Sequence, residues 1–157
     1  MKKLMNLLLS LTLVLALAGC GKEQSATYVL NFSQDGVSMV DTQVYQATGD
    51  IVTQMDENVV IDLSALDDTT KELMVAYYDE FYGAMGTDVP EGVTFSSSYE
   101  NDIYTVNLSM NLKEADLQVL GERGYLLLTS ENGETVKVIS FKQTCEYCEA
   151  NGYVLQQ

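Results

Sequence analysis

Histidine and tryptophan are both absent from this chain, which also has one proline and three cysteines. Without histidine there is no Ser-His-Asp triad, no imidazole metal ligand and no imidazole proton relay. Basic residues are scarce as well, 8 against 23 acidic ones. Nucleic-acid binding rests on Lys and Arg neutralising phosphates, so this balance excludes it, and it excludes polybasic attachment to anionic headgroups. No glycine-rich phosphate loop follows a strand pattern. The many carboxylates never fall into the spacing of a calcium loop. With so few cysteines a disulfide scaffold is excluded too. No cofactor is implied.

Against these absences the amino terminus is informative. Lys2 and Lys3 precede an apolar run from Leu7 to Ala18 that stops at Gly19 and Cys20. The run is too short for a membrane-spanning helix, which needs roughly 18 or more apolar residues, and its small-residue end suits a cleavable signal peptide over residues 1–19. Leu17-Ala18-Gly19-Cys20 resembles the bacterial lipobox, which implies a lipid on Cys20 as the first mature residue. A diacylated cysteine holds a domain on a membrane without a spanning helix. The partner implied is the membrane itself, and the place the extracytoplasmic face of the cell membrane. Since Lys2 and Lys3 are two of the 8 basic residues, the mature chain keeps 6 against 23 acids, a formal −17. Acidity of that order keeps an anchored domain soluble.

Residues 20–26 read as the lipidated cysteine and a short polar tether, and 27–157 as one domain. Tyr28, Leu30 and Phe32 alternate up to Asp35-Gly36, a hairpin turn signal. A second strand follows from Val37 to about Gln46, then a turn at Thr48-Gly49-Asp50 and a third strand over Ile51–Ile61, with a bulge expected at Asp56-Glu57-Asn58. Thr69 with Glu72 has capping-box spacing and opens a helix that closes at Gly86. Its core stripe is expected to be Leu73, Ala76 with Tyr77, Phe81 and Ala84. Two more strands, Val93–Tyr99 and Tyr104–Met110, join through Glu100-Asn101-Asp102. A second helix is expected from Asn111 to Gly121, a hairpin between Tyr125 and Ser140 around Asn132-Gly133, and a third helix from Ser140, with Gln143 in the capping-box place, to Gly152. This order predicts an α+β fold: an antiparallel sheet, built from a three-strand meander and a strand pair, with about three helices on one face.

Two constellations stand out. Cys145-Glu146-Tyr147-Cys148 is a C-x-x-C motif. Redox pairs of this form gain reactivity at a helix N-terminus, but Cys145 lies more than a turn inside the predicted helix, flanked by Glu146 and Glu149. Phe141, Cys145 and Cys148 also fall at i, i+4, i+7, a core stripe. Core thiols, a disulfide, a redox pair and a metal site all stay open; zinc would need further ligands from acids or a second chain. The other constellation is the aromatic helix. Met74, Tyr78, Tyr82 and Met85 lie beside its main stripe and form a candidate binding face for a protein or small ligand, aromatic rings being common at interfaces. The alternative is a helix packed between the sheet and another helix.

The lipobox, the meander, the helix, the strand pair and the stretch Lys113-Glu114-Ala115-Asp116-Leu117-Gln118-Val119-Leu120 together resemble the YehR-like lipoprotein family. Ile139-Ser140-Phe141-Lys142 and Asn151-Gly152-Tyr153 add to the likeness. The resemblance implies a small envelope lipoprotein with an α+β domain, and it supplies no catalytic residues. The function expected is non-enzymatic: an anchored domain that binds a partner or ligand. Its rival is an extracytoplasmic thiol-disulfide oxidoreductase using Cys145 and Cys148.

Overall fold

Turn chemistry sets the frame. In the computed structural model, which describes residues 21–126 and 136–156, Asp35 and Gly36 both have positive φ (52° and 85°), as do Asn101 and Asp102 (52° and 64°). Two consecutive left-handed residues make the tight turn whose twist matches antiparallel strands. These turns join β1 (Glu23–Gln34) to β2 (Val37–Thr48) and β4 (Val93–Glu100) to β5 (Ile103–Asn111), while Gly49 turns β2 into β3 (Ile51–Asp62). Helices α1 (Asp68–Met85), α2 (Leu117–Glu122) and α3 (Phe141–Ala150), with β6 (Val154–Gln156), complete the described elements. The sheet is antiparallel with strand order β4-β5-β3-β2-β1-β6. The expected α+β architecture is therefore observed.

Register decides which side chains face the helices. Ile61 pairs with Tyr104, Val59 with Val106, and Met55 with Tyr45 and Met110, so these share one face. Three clusters fill it. Val59, Ile61, Leu63, Tyr104 and Val106 lie under α1; Leu108, Met110 and Tyr125 pack around Leu120 of α2; Tyr28, Tyr45 and Val52 pack with Cys148 of α3. Among the described residues no helix covers the other face, where Thr42, Asn58, Asn107 and Ser109 lie with Val40, Val44 and Val60.

Several boundaries differ from the sequence reading. β1 begins at Glu23, paired with Thr48, so residues 23–26 are strand and not tether. The bulge lies not at Asp56–Asn58, where pairing is continuous, but at Thr53: Gln46 faces Gln54 while Ala47 faces Val52. Asp67 caps α1, two residues before Thr69, by accepting from Thr70 N at 3.1 Å. Asp116 caps α2, accepting from Gln118 N at 2.9 Å, which shortens the helix expected from Asn111; an Asp one residue before Leu117 outcompetes the Asn111 signal because two backbone donors converge on it. Ser140 caps α3 as expected. Most of the hairpin expected over Tyr125–Ser140 lies outside the described residues; Val136–Ile139 form no ladder, and the Ile139 carbonyl accepts from Val52 N at 2.9 Å. β6, unforeseen, pairs with Thr27–Val29. Among the described residues no helix is long and apolar enough to cross a membrane.

Candidate functional site

Helix α1 is apolar on two adjacent stripes and can bury only one. It buries Met74, Val75, Tyr78 and Tyr82 against the Ile61–Tyr104 cluster, and Met85 against Leu108 and its neighbours. Tyr78 and Tyr82 set their rings 5.3 and 6.1 Å from the Tyr104 ring, and Tyr104 Oη donates to Asp79 Oδ1 at 2.9 Å. The expected binding face, Met74, Tyr78, Tyr82 and Met85, is thus the core face, and the expected core stripe is outside. This exchange follows from volume: the buried stripe carries four long side chains, whereas the other includes Ala76 and Ala84.

The stripe left outside forms a ridge. Leu73, Tyr77 and Phe81 are 69, 58 and 56% exposed, and the Tyr77 and Phe81 rings stack at 6.3 Å and 15°. Large apolar side chains contiguous on a surface mark interaction sites more often than do scattered ones. On the other flank of α1 a groove of about 470 Å³ runs between the helix and the β4–β5 turn, lined by Asp68, Glu72, Asp79, Tyr99 and Asp102. Lys71 is tied across it to Asp102 Oδ2 at 3.0 Å, and Tyr99 Oη donates to Asp102 Oδ1 at 3.1 Å. These two donors hold the Asp102 carboxyl below its usual range.

Beneath α1 and α3 the sheet carries an unexpected polar cluster. Asp41, 6% exposed, and Gln43 lie side by side on β2, with Glu57 opposite Gln43 on β3. Gln43 Nε2 donates to Glu57 Oε1 at 3.0 Å and lies 3.3 Å from Asp41 Oδ2; Tyr45 Oη donates to Gln43 Oε1 at 2.6 Å. Tyr153, after α3, donates its hydroxyl to Asp41 Oδ2, while Asp41 Oδ1 has no partner among the described residues. Burial raises the pKa of Asp41 against the pull of Tyr153 and Gln43, and burial together with the Asp41 charge raises that of Glu57. Tyr82, above them on α1, is pushed up to about 12, mainly by burial and then by Glu57. Among the described residues no group of three or more acids and thiols is arranged to hold a metal ion.

Cys145 and Cys148 are free and unlike each other. Cys148 is 0% exposed, its Sγ 3.7 Å from Tyr45 Oη and 3.8 Å from Gln43 Oε1, and burial pushes its thiol up. Cys145 is half-buried in the same cluster. Cys20 lies outside the described residues. On the uncovered face a shallow depression of about 290 Å³ lies over Asn58, Asn107 and Ser109. There Asn58 Nδ2 donates to Asn107 Oδ1 at 2.8 Å and Ser109 Oγ to Asp56 Oδ1 at 2.6 Å, so these groups satisfy one another. The ridge, whose apolar surface has no such partner, is the stronger candidate.

The fold is similar to the NMR structure of the Escherichia coli YehR protein, with a TM-score of 0.57 and 22% identity over 87% of this chain and 92% of that one. It is also similar to the NMR structure of a protein from Streptococcus pneumoniae TIGR4, with a TM-score of 0.53 and 15% identity over 86% of each chain. No functionally curated protein matches. The family described as protein of unknown function DUF1307 matches residues 24–154, so the chain belongs to that family.

Proposed function

We propose that this protein is a cell-envelope lipoprotein, anchored on the extracytoplasmic face by lipid on Cys20, whose domain is a non-enzymatic binding module. The observation that carries the binding reading is the exposed ridge of Leu73, Tyr77 and Phe81 on a helix whose adjacent stripe is already packed against the sheet. Two aromatics and a leucine in line expose more apolar surface than solubility favours, and a partner that covers them recovers that free energy. The anchor rests on the signal-like leader and the lipobox at Cys20. Burial of Cys148, with its thiol pushed up, weighs against the oxidoreductase alternative, because exchange needs an accessible thiolate.

A photo-crosslinking residue at position 77 in growing cells, combined with metabolic palmitate labelling, tests both halves. The expected outcome is label on the wild type, none on Cys20→Ala, and a discrete adduct from position 77 that a probe at Thr42 on the open sheet does not give. Label that persists in Cys20→Ala would remove the anchor. Equal adducts from positions 77 and 42 would remove the ridge as the binding face.

A further inference from the structure

We infer that the outer face of α1 seats a cationic amphipathic helix of a partner protein, its apolar stripe on Leu73, Tyr77 and Phe81 and its Lys or Arg side chains over Asp68, Glu72 and Asp79. This rests on the binding-module reading and specifies its partner. At 3.6 residues per turn the ridge and the acidic groove flank one outward line on α1, along which Ala76, Glu80 and Gly83 fall. Both flanks therefore face one incoming element. Glycine weakens a helix interior, and a Cβ at Gly83 would meet nothing within 4 Å, so packing within the chain does not demand it. With Ala76 it keeps the outer face low on the groove side of Glu80, where a second helix backbone can approach. Leu73 to Phe81 spans about 12 Å, roughly two turns of such a helix.

Charge selects the occupant. Lys71, the basic residue of the groove, is already held by Asp102 at 3.0 Å. Asp68 is fully exposed, and Glu72 lies exposed beside it. A second copy would bring these same acids face to face in a chain of net charge −15, and like charges juxtaposed across an interface are costly. An anionic bilayer would be repelled for the same reason. A helix carrying Leu on one stripe and Lys or Arg beside it fits both flanks at once.

The test uses the full lipidated chain in phosphatidylcholine nanodiscs and a fluorescent 14-residue Leu/Lys amphipathic helical peptide, followed by anisotropy. Two control peptides carry Glu in place of Lys, or Ser in place of Leu. The Leu/Lys peptide should bind, and neither control should do so measurably. Leu73→Ser with Phe81→Ser should weaken binding about tenfold, and Asp68→Asn with Glu72→Gln about fivefold, with unfolding midpoints close to wild type because these side chains are exposed. Raising salt should weaken the wild type and leave the charge variant less affected. Peptide affinity unchanged in both variants, concentration-dependent self-association that Phe81→Ser abolishes, or attachment to phosphatidylglycerol vesicles through the ridge would each overturn the inference. Crosslinking from position 77 separates the two failures. An adduct with a protein lacking a basic amphipathic helix overturns this inference and leaves the binding-module reading intact; no adduct in cells overturns both.

Discussion

Asp50, in the turn between β2 and β3, organises the start of α3 ninety residues away: its Oδ2 accepts from Ser140 Oγ at 2.8 Å, and its Oδ1 from Lys142 N at 2.8 Å. The Asp50 carbonyl also accepts from Phe141 N at 2.9 Å. One residue thereby satisfies donors that a helix N-terminus leaves open, and those hydrogen bonds hold the Asp50 carboxyl below its usual range. Asp50→Ala should lower Tm by about 3 °C, an effect of the size typical for a lost cap. Asp50→Asn, which keeps one acceptor, should recover part of it. Thermal unfolding of the three proteins is the measurement; equal midpoints would mean that Ser140 caps α3 unaided.

The exchange of faces on α1 has a direct stability signature. Tyr78→Ala and Tyr82→Ala remove rings packed against Tyr104 and should each cost about 3 kcal/mol. Leu73→Ser and Phe81→Ser should stay within about 0.5 kcal/mol of wild type, as exposed positions do. Urea denaturation decides it, and the reverse ranking would restore the face assignment read from sequence.

Stability should fall as pH rises above the ordinary carboxylate range. Asp41 and Glu57 bind their protons more tightly when folded than when unfolded, since burial disfavours the carboxylates. Their contribution is full below the unfolded values, 3.8 and 4.5, and is lost as pH climbs through the raised folded ones. Asp50, Asp62, Asp67 and Asp102 act in the opposite sense: hydrogen bonds hold them low, so their contribution is present above 3.8 and lost as pH falls through their folded values. The two groups together place the optimum on the acid side of neutrality. Above the unfolded values the wild type should lose stability as pH rises, and Asp41→Asn with Glu57→Gln should flatten that decline. A parallel decline in the double variant would assign the pH dependence to other groups.

Thiol labelling should divide the cysteine pair. Cys145, half-buried, should react in the native state well before Cys148, which is fully enclosed and reacts on unfolding. Cys148→Ala should cost about 1–3 kcal/mol through lost packing, and Cys148→Ser more if its hydroxyl finds no better partner than the thiol has. Fast native labelling of both, with turnover of a disulfide substrate, would instead favour the oxidoreductase.

Local signals were legible wherever one residue type answers one backbone demand. Asp35-Gly36 and Asn101-Asp102 took the left-handed conformations their turns need, and Ser140 capped the helix it announced. Periodicity failed where two answers were equally periodic. On α1 the stripes through Leu73 and through Met74 both repeat every three to four residues, and Tyr104, distant in sequence, selects between them. On β2, Val40 and Val44 alternate as an apparent core set, yet the strand turns Asp41, Gln43 and Tyr45 inward. Only the meeting of β2 with Glu57 and Tyr153 gives that polar row its partners, and no local window contains those three segments. β6 is too short to announce itself, and its pairing depends on β1 being present.

Thr53, the extra residue in β3, works as an inserted letter in a two-letter reading frame. Upstream of it Val52 points into the core; downstream the odd-numbered Met55, Glu57, Val59 and Ile61 do. The strand changes parity at this one position, and the Thr53 carbonyl accepts from Leu112 N at 3.0 Å. Removing the inserted letter would restore the frame: with Thr53 deleted, Val52 and Met55 stand two residues apart and both still face inward, so the core set on either side survives as a regular strand. What such a deletion costs is local, the bulge itself and the hydrogen bond its carbonyl takes from Leu112.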